Sequence, residues 1–122
     1  MNDDRRKFGK WGEEMAFNFL QAKGFKIIKR NYRSRWGEID IIAKDKEFLV
    51  FVEVRAKTKS IHGHPLETIT LRKQNQVIRM AKEYIAFNGI PDSLPCRFDV
   101  IAILSQAHEN TELVHLVDAF RP

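Results

Sequence analysis

The sequence predicts an α/β fold in which helices flank one mixed sheet, and three observations lead there. Two segments, from Lys10 to Lys23 and from Thr70 to Phe87, carry apolar residues at helical spacing. Three short apolar segments lie between them, and two more follow the second helix. The order is therefore α-β-β-β-α-β-β. An antiparallel meander followed by a helical crossover makes the sheet mixed.

Each element has its own local cause. In the first helix Trp11, Met15, Phe19 and Ala22 recur on one side, broadened by Ala16 and Leu20. Gly24 ends it, because glycine enters the left-handed conformation without steric cost. Phe25 to Arg33 reads as a strand with a basic exit. Glu38 to Lys44, entered through Gly37, contains Ile39, Ile41, Ile42 and Ala43. Lys46 to Ala56 holds Phe48-Leu49-Val50-Phe51-Val52, too apolar for a strand with one wet face, so it belongs at the centre of the sheet. The Lys44-Asp45-Lys46 connection suits a hairpin. A basic loop runs from Lys57 to about Leu66. In the second helix Val77, Ala81, Tyr84 and Ile85 mark one face, and Gly89 and Pro91 close it. Phe98 to Leu104 is another buried strand, and Leu113 to Val117 a last short one.

At 122 residues the chain fits one domain, 1–122, with 43% hydrophobic and 30% charged residues, a globular and not a disordered balance. No apolar run approaches the roughly 20 residues needed to cross a bilayer, and no apolar segment follows the charged Asp3–Lys7 stretch to make a signal peptide. A cytoplasmic protein is expected, with no membrane partner. The one cysteine, Cys96, excludes an internal disulfide and reads as a small buried hydrophobe.

The formal charge is +5 and the pI about 9.5, which favours a polyanionic partner. From Asp92 onward five carboxylates face only Arg97 and Arg121, so the positive excess lies in the first two thirds. Its clusters include Arg5-Arg6-Lys7, Arg33, Arg35, Lys59 and Arg72-Lys73.

Two carboxylates sit where an unpaired one is costly. Asp40 lies within Glu38-Ile39-Asp40-Ile41-Ile42, and Glu53 directly follows Phe48 to Val52. If the second and third strands pair across the tight turn, Asp40 and Glu53 fall near one another, on strands about 4.8 Å apart. Alternation puts Glu53, Arg55 and Lys57 on one face, and Glu38 with Asp40. Spacing leaves two readings. Either the pair holds a divalent cation, for which two hard oxygen ligands suit Mg²⁺, or it is neutralised by Arg55 and Lys57.

Gly37-Glu38-Ile39-Asp40, then Val50-Phe51-Val52-Glu53-Val54-Arg55, resembles the YraN-like family of small bacterial proteins. That family is itself similar to the PD-(D/E)XK nuclease superfamily, whose core is restriction-endonuclease-like, and especially to archaeal Holliday-junction resolvases. Gly9, Gly12-Glu13, Lys73-Gln74, Arg97-Phe98-Asp99-Val100 and Asp118-Ala119-Phe120 extend the match over nearly the whole chain. The resemblance implies that Asp40 and Glu53 ligate Mg²⁺, or Mn²⁺ in its place, and that Glu13 reaches the same site directly or through water. It implies hydrolysis of a phosphodiester in nucleic acid, DNA in preference to RNA, branched DNA included. A junction-resolving role would suit a two-fold homodimer. Gln74 would be a polar contact near the catalytic edge. Arg55 stands where the superfamily has lysine, and arginine is a poor general base. Arg55 or Lys57 would then stabilise developing charge, Lys57 lying about 6.6 Å further along the strand. With little or no cleavage, the chain would be a nucleic-acid-binding module of the same fold.

For the nucleic-acid backbone the candidates are Lys59, Arg72 and Lys73, with Arg33 and Arg35 beside Trp36, which reads either as core or as a stacking platform for an unpaired base. His62 and His64 lack the further ligands of a zinc site. His115 reads as a satisfied structural histidine.

Overall fold

The structure is a computed structural model that describes residues 2–58, 65–106 and 109–122. Helix α1 (Asn2–Ala22) is followed by strands β1 (Lys26–Ser34), β2 (Gly37–Asp45) and β3 (Phe48–Thr58), a short 3₁₀ helix (Pro65–Thr68), helix α2 (Leu71–Phe87), and strands β4 (Cys96–Gln106) and β5 (Glu109–Phe120). The expected order holds. The five strands form one sheet in sequence order. All neighbours are antiparallel except β3 and β4, which run parallel because α2 carries the chain back across the sheet.

Strand alternation divides the core in two. Val50, Val52 and Val54 of β3 pack with Ile101 and Ile103 of β4 and with Ala16 and Leu20 of α1. Leu49 and Phe51 point the other way, to Phe98 and Val100 and to Val77, Met80, Ala81 and Tyr84 of α2. The apolar run of β3 is thus covered on both sides, the condition its composition predicts. No helix among the described residues is long and apolar enough to cross a membrane.

Several boundaries differ from the sequence expectation. Helix α1 begins at Asn2, not near Lys10. Arg5, Arg6 and Lys7 are exposed helix formers that carry no apolar periodicity, and Asp4 in the first turn favours a helix N-terminus. Phe8 stacks on Trp11 at 5.4 Å between ring centroids. Strand β3 runs on to Thr58, so Lys57 belongs to a strand and not to the following loop. β5 is longer than its apolar stretch because it lies at the edge of the sheet, where polar residues are tolerated. Cys96 is exposed, not buried. As the first residue of β4 it lies at the end of the sheet, beyond the helices' cover.

Helix α1 lies close against β3 because Gly12 has no side chain. A Cβ there would stand 2.7 Å from the Cβ of Ala56. Gly12→Ala is expected to destabilise the fold by about 1–3 kcal/mol through overpacking, offset by up to about 1 kcal/mol of helix propensity. Urea unfolding measures the net effect, and a stabilised variant would show that the helix can move away without cost.

Candidate metal and nucleic-acid site

The pairing of β2 with β3 runs from Asp45↔Phe48 to Ile41↔Val52 and stops there. One step further, Asp40 would face Glu53. Instead the strands part, and the two carboxylates bridge the fork. Asp40 Oδ2 accepts the Val54 N–H at 2.8 Å, and Glu53 Oε2 accepts the Asp40 N–H at 3.3 Å. Each side chain replaces a backbone bond that the ladder has lost. On the other side of β2, the register passes from Arg30↔Ile41 to Tyr32↔Ile39, with Asn31 between them at a left-handed φ of 54°. Alternation along β2 slips at the same place: Ile39 and Ile42 belong to the α2 side of the core and Ile41 to the α1 side.

Glu53 is 2% exposed, and its Oε1 faces the Lys73 ammonium at 3.6 Å. Burial pushes its carboxyl up to about 8, and the neighbouring Asp40 adds to the shift against Lys73. Asp40 is pushed up to about 7, chiefly by burial and also by Glu13 and Glu38, against the Val54 N–H bond and Lys73. Glu13 is raised too, by burial and then by Glu38.

A cleft of about 290 Å³ opens onto the fork, lined among others by Glu13, Glu38, Asp40, Glu53, Arg55, Lys57 and Lys73. Its carboxylates do not all converge. With its amide oriented to satisfy its neighbours, Asn31 donates to Glu13 Oε1 at 3.1 Å and to Glu38 Oε1 at 2.7 Å. Among the described residues no three His, Cys, Asp or Glu side chains are close enough to enclose one ion. Asp40 and Glu53 therefore offer two oxygen ligands, with Glu13 at the rim. This suits Mg²⁺, which keeps several waters and is held by one or two carboxylates plus substrate phosphate.

The cations depart from the sequence reading. Arg55 Nε donates to the Thr68 carbonyl at 2.9 Å, which ties it to the 3₁₀ turn. Lys57 is exposed at the cleft. Lys73, expected on the nucleic-acid backbone, is the cation at Glu53. It comes from the first turn of α2, whose N-cap Thr70 accepts the Lys73 N–H at 3.1 Å. Gln74 is half-buried and donates to the Ile69 carbonyl at 3.3 Å. Arg5, which also lines the cleft, was hidden in the segment without apolar periodicity. Glu38 was legible only as a neighbour of Asp40. Lys59, His62 and His64 lie outside the described residues.

Trp36 and Arg72 meet elsewhere, in a second cleft with Asn75, Gln76 and Arg79. The Arg79 guanidinium lies 3.4 Å from the Trp36 ring centroid and that of Arg35 4.8 Å. Gln76 donates to the Trp36 carbonyl. The next residue, Gly37, has φ 139°, and a Cβ there would collide with the Gln76 amide. Arg33 is exposed, 3.8 Å from Glu38.

Asp99 is a control within the same molecule. It is fully buried, yet it accepts from Arg97 Nε at 3.0 Å and Nη2 at 3.1 Å, His115 Nε2 at 2.8 Å and the Asp118 N–H at 3.0 Å. Burial alone would raise its pKa, but these bonds hold it below the usual aspartate range. His115 is thus a satisfied structural histidine. Its Nδ1 faces Lys23 Nζ at 2.9 Å, and its ring packs edge-on to Phe19 and Phe25. Asp99 forms an ion pair with Arg97 at 3.0 Å, whereas the cation nearest Glu53 is Lys73 at 3.6 Å, and burial outweighs the charges of Lys73 and Arg55 there.

The sequence matches the model of "Uncharacterised protein family UPF0102" over residues 12–103. It is 43% identical to a UPF0102 protein of Chlorobium limicola, over 98% of this chain and 96% of that one. A UPF0102 protein of Lachnoclostridium phytofermentans is 47% identical over 77% of this chain and 80% of its own, and one of Clostridium botulinum 41% identical over 95% of each. The chain belongs to the UPF0102, or YraN-like, family.

Proposed function

We propose that this protein is a divalent-metal-dependent endonuclease of the cytoplasm that hydrolyses phosphodiesters in nucleic acid, DNA in preference to RNA, branched DNA included. One observation carries the reading: two carboxylates from adjacent strands share a fork in the sheet, and burial raises the pKa of both in spite of the nearby Lys73. The similarity of Gly37–Asp40 and Val50–Arg55 to the PD-(D/E)XK nucleases supports it.

In this reading Asp40 and Glu53 would hold Mg²⁺ or Mn²⁺, with Glu13 reaching the same site directly or through water. Bound there, the ion would polarise a phosphodiester oxygen and make a water more acidic. The chain's own residues do the rest. Lys73 places a positive charge beside Glu53, where negative charge develops on the phosphate. It supplies from helix α2 the lysine that β3 lacks at Arg55. Arg55, tied to Thr68, keeps the 3₁₀ turn and the start of α2 against β3. Arg5 and Lys57, exposed at the cleft, attract the backbone, so binding weakens steeply with salt.

The test is a Mg²⁺ and Mn²⁺ titration against labelled single-stranded, duplex and four-way-junction DNA. Metal-dependent cleavage supports the enzyme. Salt-sensitive binding without cleavage in either metal would leave a nucleic-acid-binding module, the reading that Arg55 in place of lysine favours.

Proton linkage gives a second test. The folded-state pKa values of Asp40 and Glu53 lie above their ordinary ones. The stability they contribute is full below the ordinary carboxylate range and is lost as pH rises through about 7 to 8. A metal must displace those protons, so its affinity rises over the same window. The rise in melting temperature caused by millimolar Mg²⁺ is expected to grow from pH 6 to pH 8.5. A rise independent of pH would place the ion elsewhere.

A further inference from the structure

Helix α2 presents Arg72, Asn75, Gln76 and Arg79 at i, i+3, i+4 and i+7, the spacing that brings side chains to one helix face. Together with Trp36 these residues line a cleft of about 620 Å³ in which, among the described residues, no carboxylate takes part. Trp36 is half-buried, and its backbone is held from both sides: its carbonyl accepts from Gln76, and its N–H donates to Ser34 Oγ at 3.1 Å. The conformation that brings the indole here depends on Gly37, at φ 139°. The ring is thus fixed before any ligand arrives, which lowers the ordering cost of binding.

The Arg79 guanidinium lies 3.4 Å from the ring centroid, and Arg79 itself is exposed. The guanidinium is stacked over the indole face, with Arg35 4.8 Å from the same ring centroid, so the platform offered to a ligand is the outer plane of the indole-backed Arg79 guanidinium. Unpaired bases stack on guanidinium planes as they do on aromatic rings, while Arg72 can meet a phosphate and the Asn75 amide a base edge. A base within a duplex cannot offer its face to this platform.

We propose that this cleft binds one unpaired nucleotide of a nucleic-acid strand, with its base on the Trp36–Arg79 platform and its phosphate at Arg72. The inference rests on the nucleic-acid reading above and narrows the substrate to one with a single-stranded or splayed nucleotide beside the cutting site. Trp36 precedes Asp40 by four residues, about 13 Å along an extended strand, and α2 carries both Lys73 and the cleft residues. The bound nucleotide is therefore close to, but distinct from, the one at the carboxylates.

The chain has two tryptophans, so Trp11→Phe leaves Trp36 as the sole indole reporter. In that background, Trp36 emission is followed while the anisotropy of a labelled probe reports total binding. The probes are an oligothymidylate of roughly ten nucleotides and a blunt duplex, with unlabelled thymidine monophosphate as a third ligand. Trp36 quenching is expected to saturate with the oligothymidylate anisotropy curve and to be absent with duplex. Arg79→Ala, at an exposed position, is expected to weaken oligothymidylate binding about tenfold or more and duplex binding much less. Single-strand binding with unmoved Trp36 emission would overturn the cleft proposal and leave the function standing. Quenching by the monophosphate as tight as by the oligonucleotide would make this a free-nucleotide site and overturn the strand assignment. No anisotropy change with either probe would remove the nucleic-acid reading and this proposal with it.

Discussion

Glu53→Gln and Asp40→Asn are each expected to abolish metal-dependent cleavage, a loss of at least about a thousandfold, equivalent to ~4 kcal/mol of transition-state stabilisation. The same substitutions are expected to raise the melting temperature of the metal-free protein at pH 8. The two effects share one cause. In the fork between β2 and β3, ionised carboxylates lie beside one another, Glu53 buried and Asp40 half-buried, a cost that a neutral amide of the same shape removes. Glutamine can still accept the Asp40 N–H through its side-chain oxygen, and asparagine that of Val54. The backbone bonds at the fork therefore survive. Activity lost together with stability would indicate a damaged fold and not a missing ligand. Undiminished cleavage in either variant would sink the assignment of the pair as the metal site. Lys73→Ala distinguishes the roles further. It leaves Glu53 without the cation 3.6 Å away, so it should impair cleavage without abolishing metal binding.

Asp99→Ala should behave in the opposite way. It is expected to destabilise the protein by about 3–5 kcal/mol, because it leaves Arg97 buried without its main partner. In a chain of this size that corresponds to a fall of roughly 10 °C or more in melting temperature. Differential scanning calorimetry measures it. His115 would lose its Asp99 bond as well, and the Asp118 N–H, which donates to Asp99 at 3.0 Å, would lose its acceptor. The sign with pH is also opposite to that of the fork. Because the folded-state pKa of Asp99 is lowered, the stability it contributes is present above the ordinary aspartate pKa and is lost as pH falls through the folded one. Wild-type protein should therefore lose this contribution only in acid, whereas Asp99→Ala lacks it at every pH. A variant as stable as wild type would show that Asp45, 2.9 Å from Arg97 Nη2, suffices to neutralise it.

The two carboxylate groups look alike in the sequence. Asp40, Glu53 and Asp99 each interrupt an apolar strand, and a carboxylate there must be neutralised, hydrogen-bonded or metal-bound. What separates them is a set of neighbours remote in the chain. Asp99 meets Arg97 two residues away, but also His115 and Asp118 from β5. Glu53 meets Lys73, twenty positions on and across the 3₁₀ turn. Spacing pointed to Arg55 and Lys57, because alternation is the only geometry a strand declares. It could not show that Arg55 bonds to Thr68, since that depends on where α2 begins.

The order of the elements, the central place of β3 and the proximity of Asp40 to Glu53 can all be read along the chain. These follow from apolar periodicity and the short Lys44-Asp45-Lys46 connection, both local properties of the chain. How far α1 extends, why β2 and β3 part at Asp40, and which cation faces Glu53 are settled instead by packing in three dimensions. Exposed helix turns carry no hydrophobic signal, and strand divergence depends on pairing with a third strand. The neighbours of a buried charge are set by packing between elements that local sequence does not relate.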